Sequence, residues 1–134
     1  MGFSRVIAEL IKAKRPLVGH NMFLDMLFVY NQFIADLPPT LGEFTESWLS
    51  KFPLTFDTKV LATGLSLFPK TNLQFMAGQF FQAKKFDSLC KFCFSAGFDL
   101  YLGHEQLHEA GYDSYLTGVC FCYMLKYIET QNLI

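Results

Sequence analysis

The 134-residue chain is 51% hydrophobic, 17% aromatic and 17% charged, and its eleven basic and twelve acidic residues leave a net charge of -1. This composition excludes a disordered chain, fits one compact domain with no room for two, and supplies no bulk field to attract a polyanion. The charged share lies well below the roughly 25% of an ordinary domain, and mean hydropathy is +0.24, so the chain carries more apolar surface than one this short usually hides and a covering partner is expected.

Ser4 is placed to cap a first helix, in which Val6, Ile7, Leu10 and Ile11 recur at helical spacing and which ends near Lys14. Arg15-Pro16 breaks that pattern, and Leu17-Val18-Gly19-His20 is a short apolar run of the kind a buried parallel strand makes. Asn21 follows as the expected N-cap of a helix from Met22 to about Phe33, so rich in apolar residues that little of its surface should face water. Leu37-Pro38-Pro39 stops it. Thr40 and Glu43 then have the spacing of a capping box for a helix whose apolar face is Leu41, Phe44 and Trp48.

Leu54-Thr55-Phe56 reads as a second strand, with Asp57 placed to cap a short helix through Lys59, Val60 and Leu61. Asn72 to Ala83 is expected to be helical, Lys84 to Gly103 irregular or partly extended, and His104 to Gln106 to lead into a last helix, roughly Glu109 to Glu129. Its expected apolar stripe is Tyr112, Leu116, Val119, Cys120, Tyr123 and Tyr127. Alternating strands and helices predict an α/β fold with some parallel pairing.

Two constellations could carry chemistry. Asp25 lies one turn into a helix that leaves the C-terminal end of a strand, where open α/β sheets place their ligands. A carboxylate among Phe23, Leu24, Met26, Leu27 and Phe28 is costly to bury without a cation or donors, although the macrodipole favours an aspartate at a helix start. His108 and Asp113 are about 140° apart on an ideal helix. They can converge only if His108 sits in the loop before the first turn, as Gly103 and Gly111 would allow. A histidine there suits a general base.

Gly19-His20-Asn21-x-x-x-Asp25 and His108-Glu109-Ala110-Gly111-Tyr112-Asp113 together resemble the second and third motifs of the DEDD exonucleases, in the histidine-containing branch. With Gly2-Phe3-Ser4-Arg5-Val6-Ile7 and Phe56-Asp57-Thr58-Lys59 added, the chain is similar to the poly(A)-specific ribonuclease (PARN) family, which includes germline relatives that trim piRNA 3′ ends. The likeness runs from about Gly2 to Ile128. It implies a ribonuclease H-like exonuclease fold and a 3′–5′ exoribonuclease acting on single-stranded RNA 3′ ends rather than DNA. It also implies a two-Mg²⁺ centre with Asp25 and Asp113 as metal carboxylates and His108 as general base. Asn21 and Lys59 are candidate substrate-binding residues, and Asp57 belongs to a shared motif in which it could equally be a helix cap.

The chain departs from the family in one respect. The family's first motif, Asp-x-Glu, does not occur in this sequence. The expectation is therefore the C-terminal half of a nuclease domain, lacking the opening strands, inactive alone and covered by the missing N-terminal half. The competing reading is a non-catalytic dimerisation or scaffolding domain that has lost the motif. A homodimer, and a membrane anchor outside this sequence, are left open.

No run of about 18 uncharged apolar residues occurs and Met1 to Arg5 lack signal-peptide character, so a soluble, cytoplasmic or nuclear chain is expected. Cys90-x-x-Cys93 with Cys120 and Cys122, or with His104 and His108, could suggest zinc, but no second pair has that spacing, and the four cysteines are expected to be buried free thiols. Phe80, Phe81, Phe92 and Phe94 with Lys84, Lys85 and Lys91 could form a base-stacking surface, with core packing as the favoured alternative. For base readout the candidates are Phe80, Phe81, Phe86 and Lys59, none of them the Asn or Gln pair that strict adenine recognition uses.

Overall fold

The computed structural model describes residues 2–82, 89–101, 106 and 109–131. Its elements run α1 (Ser4–Ala13), β1 (Leu17–Gly19), α2 (Phe23–Phe33), α3 (Leu41–Lys51), β2 (Thr55–Asp57), α4 (Thr58–Leu65), α5 (Leu73–Gln82) and α6 (Ala110–Thr130). They divide into two compact units, residues 1–57 and 58–134.

In the first unit β1 and β2 pair in parallel, with Leu17 opposite Thr55, Val18 opposite Phe56 and Gly19 opposite Asp57. This is the pairing that alternating strands and helices predict, although both strands are only half-buried. The core is aromatic: Tyr30, Phe44, Trp48 and Phe52 pack with Ile7, and the Trp48 and Phe52 rings lie 4.7 Å apart. Buried polar atoms within it are paired. Trp48 Nε1 donates to Thr55 Oγ1 at 3.0 Å, and Thr55 Oγ1 donates in turn to the Phe52 carbonyl at 2.8 Å. The Thr40–Glu43 capping box forms as the sequence predicts, each residue bonding the other's backbone N–H at 3.3 Å.

Several expectations for this unit are corrected. Ser4 lies inside α1, whose N-cap is Phe3 with no side-chain cap bond. Of the α1 stripe Ile7 is buried, whereas Val6 and Leu10 are exposed. Leu41 points to solvent while Phe44 and Trp48 are buried, so the apolar face of α3 is narrower than its composition suggests. The expected burial of α2 fails more widely. Tyr30 is its one buried residue, and Leu24 and Phe28 are 64% and 61% exposed. Apolar composition all round a helix signals burial only where another surface meets each side.

The second unit is helical. Both α4 and α5 pack on α6, around Met76, Phe80, Leu116, Val119, Cys120, Tyr123 and Met124. Phe80 stacks on Tyr123 at 4.9 Å, 6° from parallel, and Phe68 meets Phe80 edge-on at 5.1 Å. Asn72 starts α5 by accepting the Phe75 N–H on its side-chain oxygen at 2.8 Å. The expected stripe of α6 is buried from Tyr112 to Tyr123, and Tyr127 is half-buried. Segment 89–101 carries no helix or strand; Ala83 and the lysines at 84 and 85 lie outside the described residues.

The cysteines also differ from expectation. Cys120 alone is buried; Cys90 is half-buried, and Cys93 and Cys122 are exposed free thiols. No described helix is long and apolar enough to cross a membrane.

Candidate functional site

The candidate residues gather at two helix starts, one in each unit. At the first, β1 ends at Gly19 and α2 begins at Phe23, so the chain turns within three residues. A Cβ on Gly19 would meet Met22 Sδ at 2.5 Å and Met22 Cβ at 2.7 Å, so the turn needs glycine there. Asn21 takes the left-handed conformation, with φ 56°, which asparagine tolerates better than most residues. The expected Asn21 cap is thereby replaced: the N-cap of α2 is Met22, which makes no side-chain cap bond.

The missing acceptor comes from the neighbouring strand. Asp57 Oδ1 accepts the Asn21 N–H at 3.0 Å and Oδ2 accepts the Met22 N–H at 2.8 Å. The sequence places Asp57 to cap its own following helix; these bonds show that its carboxylate also serves the start of α2. Asp25 lies in the first turn of α2 and is exposed. Its carboxylate makes no hydrogen bond or ion pair among the described residues.

At the second start Glu109 is the N-cap of α6, accepting the N–H groups of Gly111 and Tyr112, each at 3.0 Å. The Tyr101 hydroxyl donates to the same carboxylate, and its ring lies edge-on to Tyr112 at 5.4 Å. The Tyr101 bond first, then the two amides, hold the Glu109 carboxyl below its ordinary range, while the Glu109 carboxylate raises the Tyr101 hydroxyl. Asp113 lies in the first turn of α6, half-buried, its N–H donating to the Glu109 carbonyl at 2.9 Å. Its side chain likewise makes no hydrogen bond or ion pair among the described residues.

His108 lies outside the described residues. Lys59 is half-buried in the first turn of α4. Phe80, offered as a base-stacking residue, is fully buried in the second core, whereas Phe81 is exposed. Sequence reasoning missed Tyr101 altogether, since nothing local ties it to Glu109 eight positions later.

Among the described residues no three His, Cys, Asp or Glu side chains form a metal-binding group. Asp25 and Asp113 are of the right chemical kind for Mg²⁺, which takes hard oxygen ligands, but two carboxylates alone are too few for a two-ion centre.

A helix leaves the C-terminal end of a parallel strand with an aspartate in its first turn, and a second first-turn aspartate stands at the start of α6, within an α/β architecture. The match to a family model settles the class: the model of the CAF1 family of ribonucleases covers residues 1–121, and the chain belongs to that family, of ribonuclease H-like fold. Among individual relatives, it is 38% identical to the poly(A)-specific ribonuclease PARN of Xenopus laevis, over 96% of this chain and 21% of that protein. It is 37% identical to human PARN, over 96% of this chain and 20% of that protein. With the pre-piRNA 3′-exonuclease trimmer of Bombyx mori identity is 37%, over 98% of this chain and 26% of that protein. The chain thus spans about a fifth to a quarter of the length of these relatives.

Proposed function

We propose that this chain supplies Asp25, Asp113 and His108 to the centre of a 3′–5′ exoribonuclease that shortens single-stranded RNA from its 3′ end. The observation that carries the reading is the division of labour among carboxylates at the helix starts. Asp57 and Glu109 are committed to backbone amides, while Asp25 and Asp113 are left free among the described residues to meet a cation. Mg²⁺ in such a centre would stabilise the attacking and leaving oxygens of the phosphodiester displacement. Asp25 and Asp113 would hold it together with an Asp-x-Glu pair from outside this sequence, and His108 would take the proton of the attacking water.

The test compares the 134-residue chain with protein that also carries an Asp-x-Glu segment. The chain alone is expected to degrade no RNA. In the longer protein Asp25→Ala, Asp113→Ala and His108→Ala should each lower the chemical step by roughly three orders of magnitude or more and leave RNA binding largely intact. Robust Mg²⁺-dependent degradation by the short chain, abolished by Asp113→Ala, would overturn the shared-centre reading.

Phosphate and metal contacts read no base identity, and Phe80 is unavailable for stacking. The proposed substrate range is therefore RNA of mixed sequence with at most a modest preference for adenosine, which suits small-RNA trimming as well as poly(A) removal. A preference for A-tailed over matched U- or C-tailed oligonucleotides beyond about a hundredfold, about 2.7 kcal/mol, would restore a dedicated deadenylase. The non-catalytic association domain keeps one observation in its favour, the exposed Phe23, Leu24 and Phe28 of α2. Asp25→Ala and Asp113→Ala variants of the longer protein that keep full activity would favour it.

A further inference from the structure

Asp57 stands at the end of β2, directly opposite Gly19 in the parallel register, and so beside the turn that leads into α2. Its two carboxylate oxygens accept from two consecutive amides, at positions 36 and 35 residues earlier. One of these, the Met22 N–H, is among the donors that a helix start leaves without an internal partner. The methionine side chain has no strong acceptor with which to cap the helix itself. The other belongs to Asn21, whose left-handed backbone needs something to hold it. Hydrogen bonds to an ionised acceptor are the stronger kind, and a negative charge at this end of α2 also meets the favourable end of the helix dipole.

We propose that Asp57 is the positioning residue for Asp25: by clamping the Asn21 and Met22 amides it sets the backbone from which the Asp25 carboxylate projects. Met22 is three residues before Asp25, and its carbonyl accepts the Met26 N–H at 2.9 Å. Fixing Met22 therefore fixes the first turn that carries Asp25. Displacements of about 1 Å at a reacting centre can cost on the order of a hundredfold in rate, which sets the scale of the effect. The inference rests on the reading of Asp25 as a member of the catalytic centre.

The experiment uses the full-length protein and Asp57→Asn, whose amide keeps the volume but turns one acceptor into a donor facing an N–H. The expected result is a fall in kcat of about tenfold to a hundredfold, with KM for a single-stranded RNA changed by less than about twofold. In the Asp25→Ala background the same substitution should cause no further loss, because the two residues act as one unit. Unchanged kcat, or losses that multiply in the double variant, overturns the proposal. Should Asp57→Asn fail to fold, Asp57→Ser, which keeps one acceptor, is read for the same split. In the unsubstituted protein the Asn21 and Met22 amides should exchange with solvent more slowly than an open loop; exchange at the unprotected rate overturns the clamp without any variant. If Asp25→Ala itself leaves activity intact, the centre has been misread, and slow exchange at Asn21 and Met22 would then show that the clamp exists but serves another end.

Discussion

Both α2 and α6 carry an aspartate in the first turn, yet the carboxylates that secure the two starts come from very different distances along the chain. Asp57 reaches back 36 and 35 positions to the amides of Asn21 and Met22, so the start of α2 exists only when β1 and β2 are in register. Glu109 reaches forward two and three positions to Gly111 and Tyr112. Its longer side chain leaves the carboxylate within reach of Tyr101 as well, which an ordinary Asp or Ser cap would not span. One helix start is a tertiary construction and the other a local one, so the two should fail under different perturbations.

The largest effect is expected from the core that α6 shares with α5. Phe80→Ala removes a fully buried ring stacked on Tyr123 and should destabilise the second unit by about 3–5 kcal/mol. Chemical denaturation followed by far-ultraviolet circular dichroism measures it, and a loss under about 1 kcal/mol would show that the aromatic stack is not what supports α6. Gly19→Ala strikes the other start. The new methyl would crowd Met22 Cβ at 2.7 Å, and a cost of about 1–3 kcal/mol is expected from forced overpacking. Trp48 is the single tryptophan and lies in the first core, so its fluorescence midpoint reports the loss.

Thr40→Ala, which breaks the reciprocal bonds with Glu43, should cost about 1 kcal/mol and move the same fluorescence midpoint by less than Gly19→Ala does. The smallest effect is pH-dependent. The carboxyl of Glu109 is held below its ordinary range by Tyr101, Gly111 and Tyr112, so the folded state favours the charged form. Its contribution is present above the ordinary carboxyl range and is lost as pH falls through the lowered folded value. The melting temperature of Glu109→Gln should therefore sit below that of the parent at neutral pH and converge with it in acid. A difference that persisted unchanged at pH 3 would mean that charge plays no part in this cap.

What the sequence disclosed follows the same division between local and distant causes. The Thr40–Glu43 box, the parallel pairing and the stripe from Tyr112 to Tyr123 were legible because each is written within a turn or two of chain or in strand and helix alternation. Asn21 misled because the residue types that favour a cap also tolerate left-handed backbone, and only a carboxylate 36 positions away decides which role it takes. The burial expected of Phe23, Leu24 and Phe28 failed because composition measures what a helix could bury, whereas a packed neighbour determines what it does bury. Asp25 and Asp113 could be picked out by motif, but the fact that Asp57 and Glu109 are already spent on backbone amides could be learned only from the fold.

The uneven exposure of the cysteines gives the second unit a built-in chemical clock. Burial pushes the Cys120 thiol up to about 12, so at neutral pH it is both protonated and sealed between α6 and its neighbours, while Cys93 and Cys122 face solvent. An alkylating reagent would mark the two outer thiols at once and reach Cys120 only when α6 lifts from the core. With reagent concentrated enough to outpace reclosing, the delay between the first mass increments and the last one reads the opening rate of this helix, in unlabelled protein and without a probe that disturbs its packing.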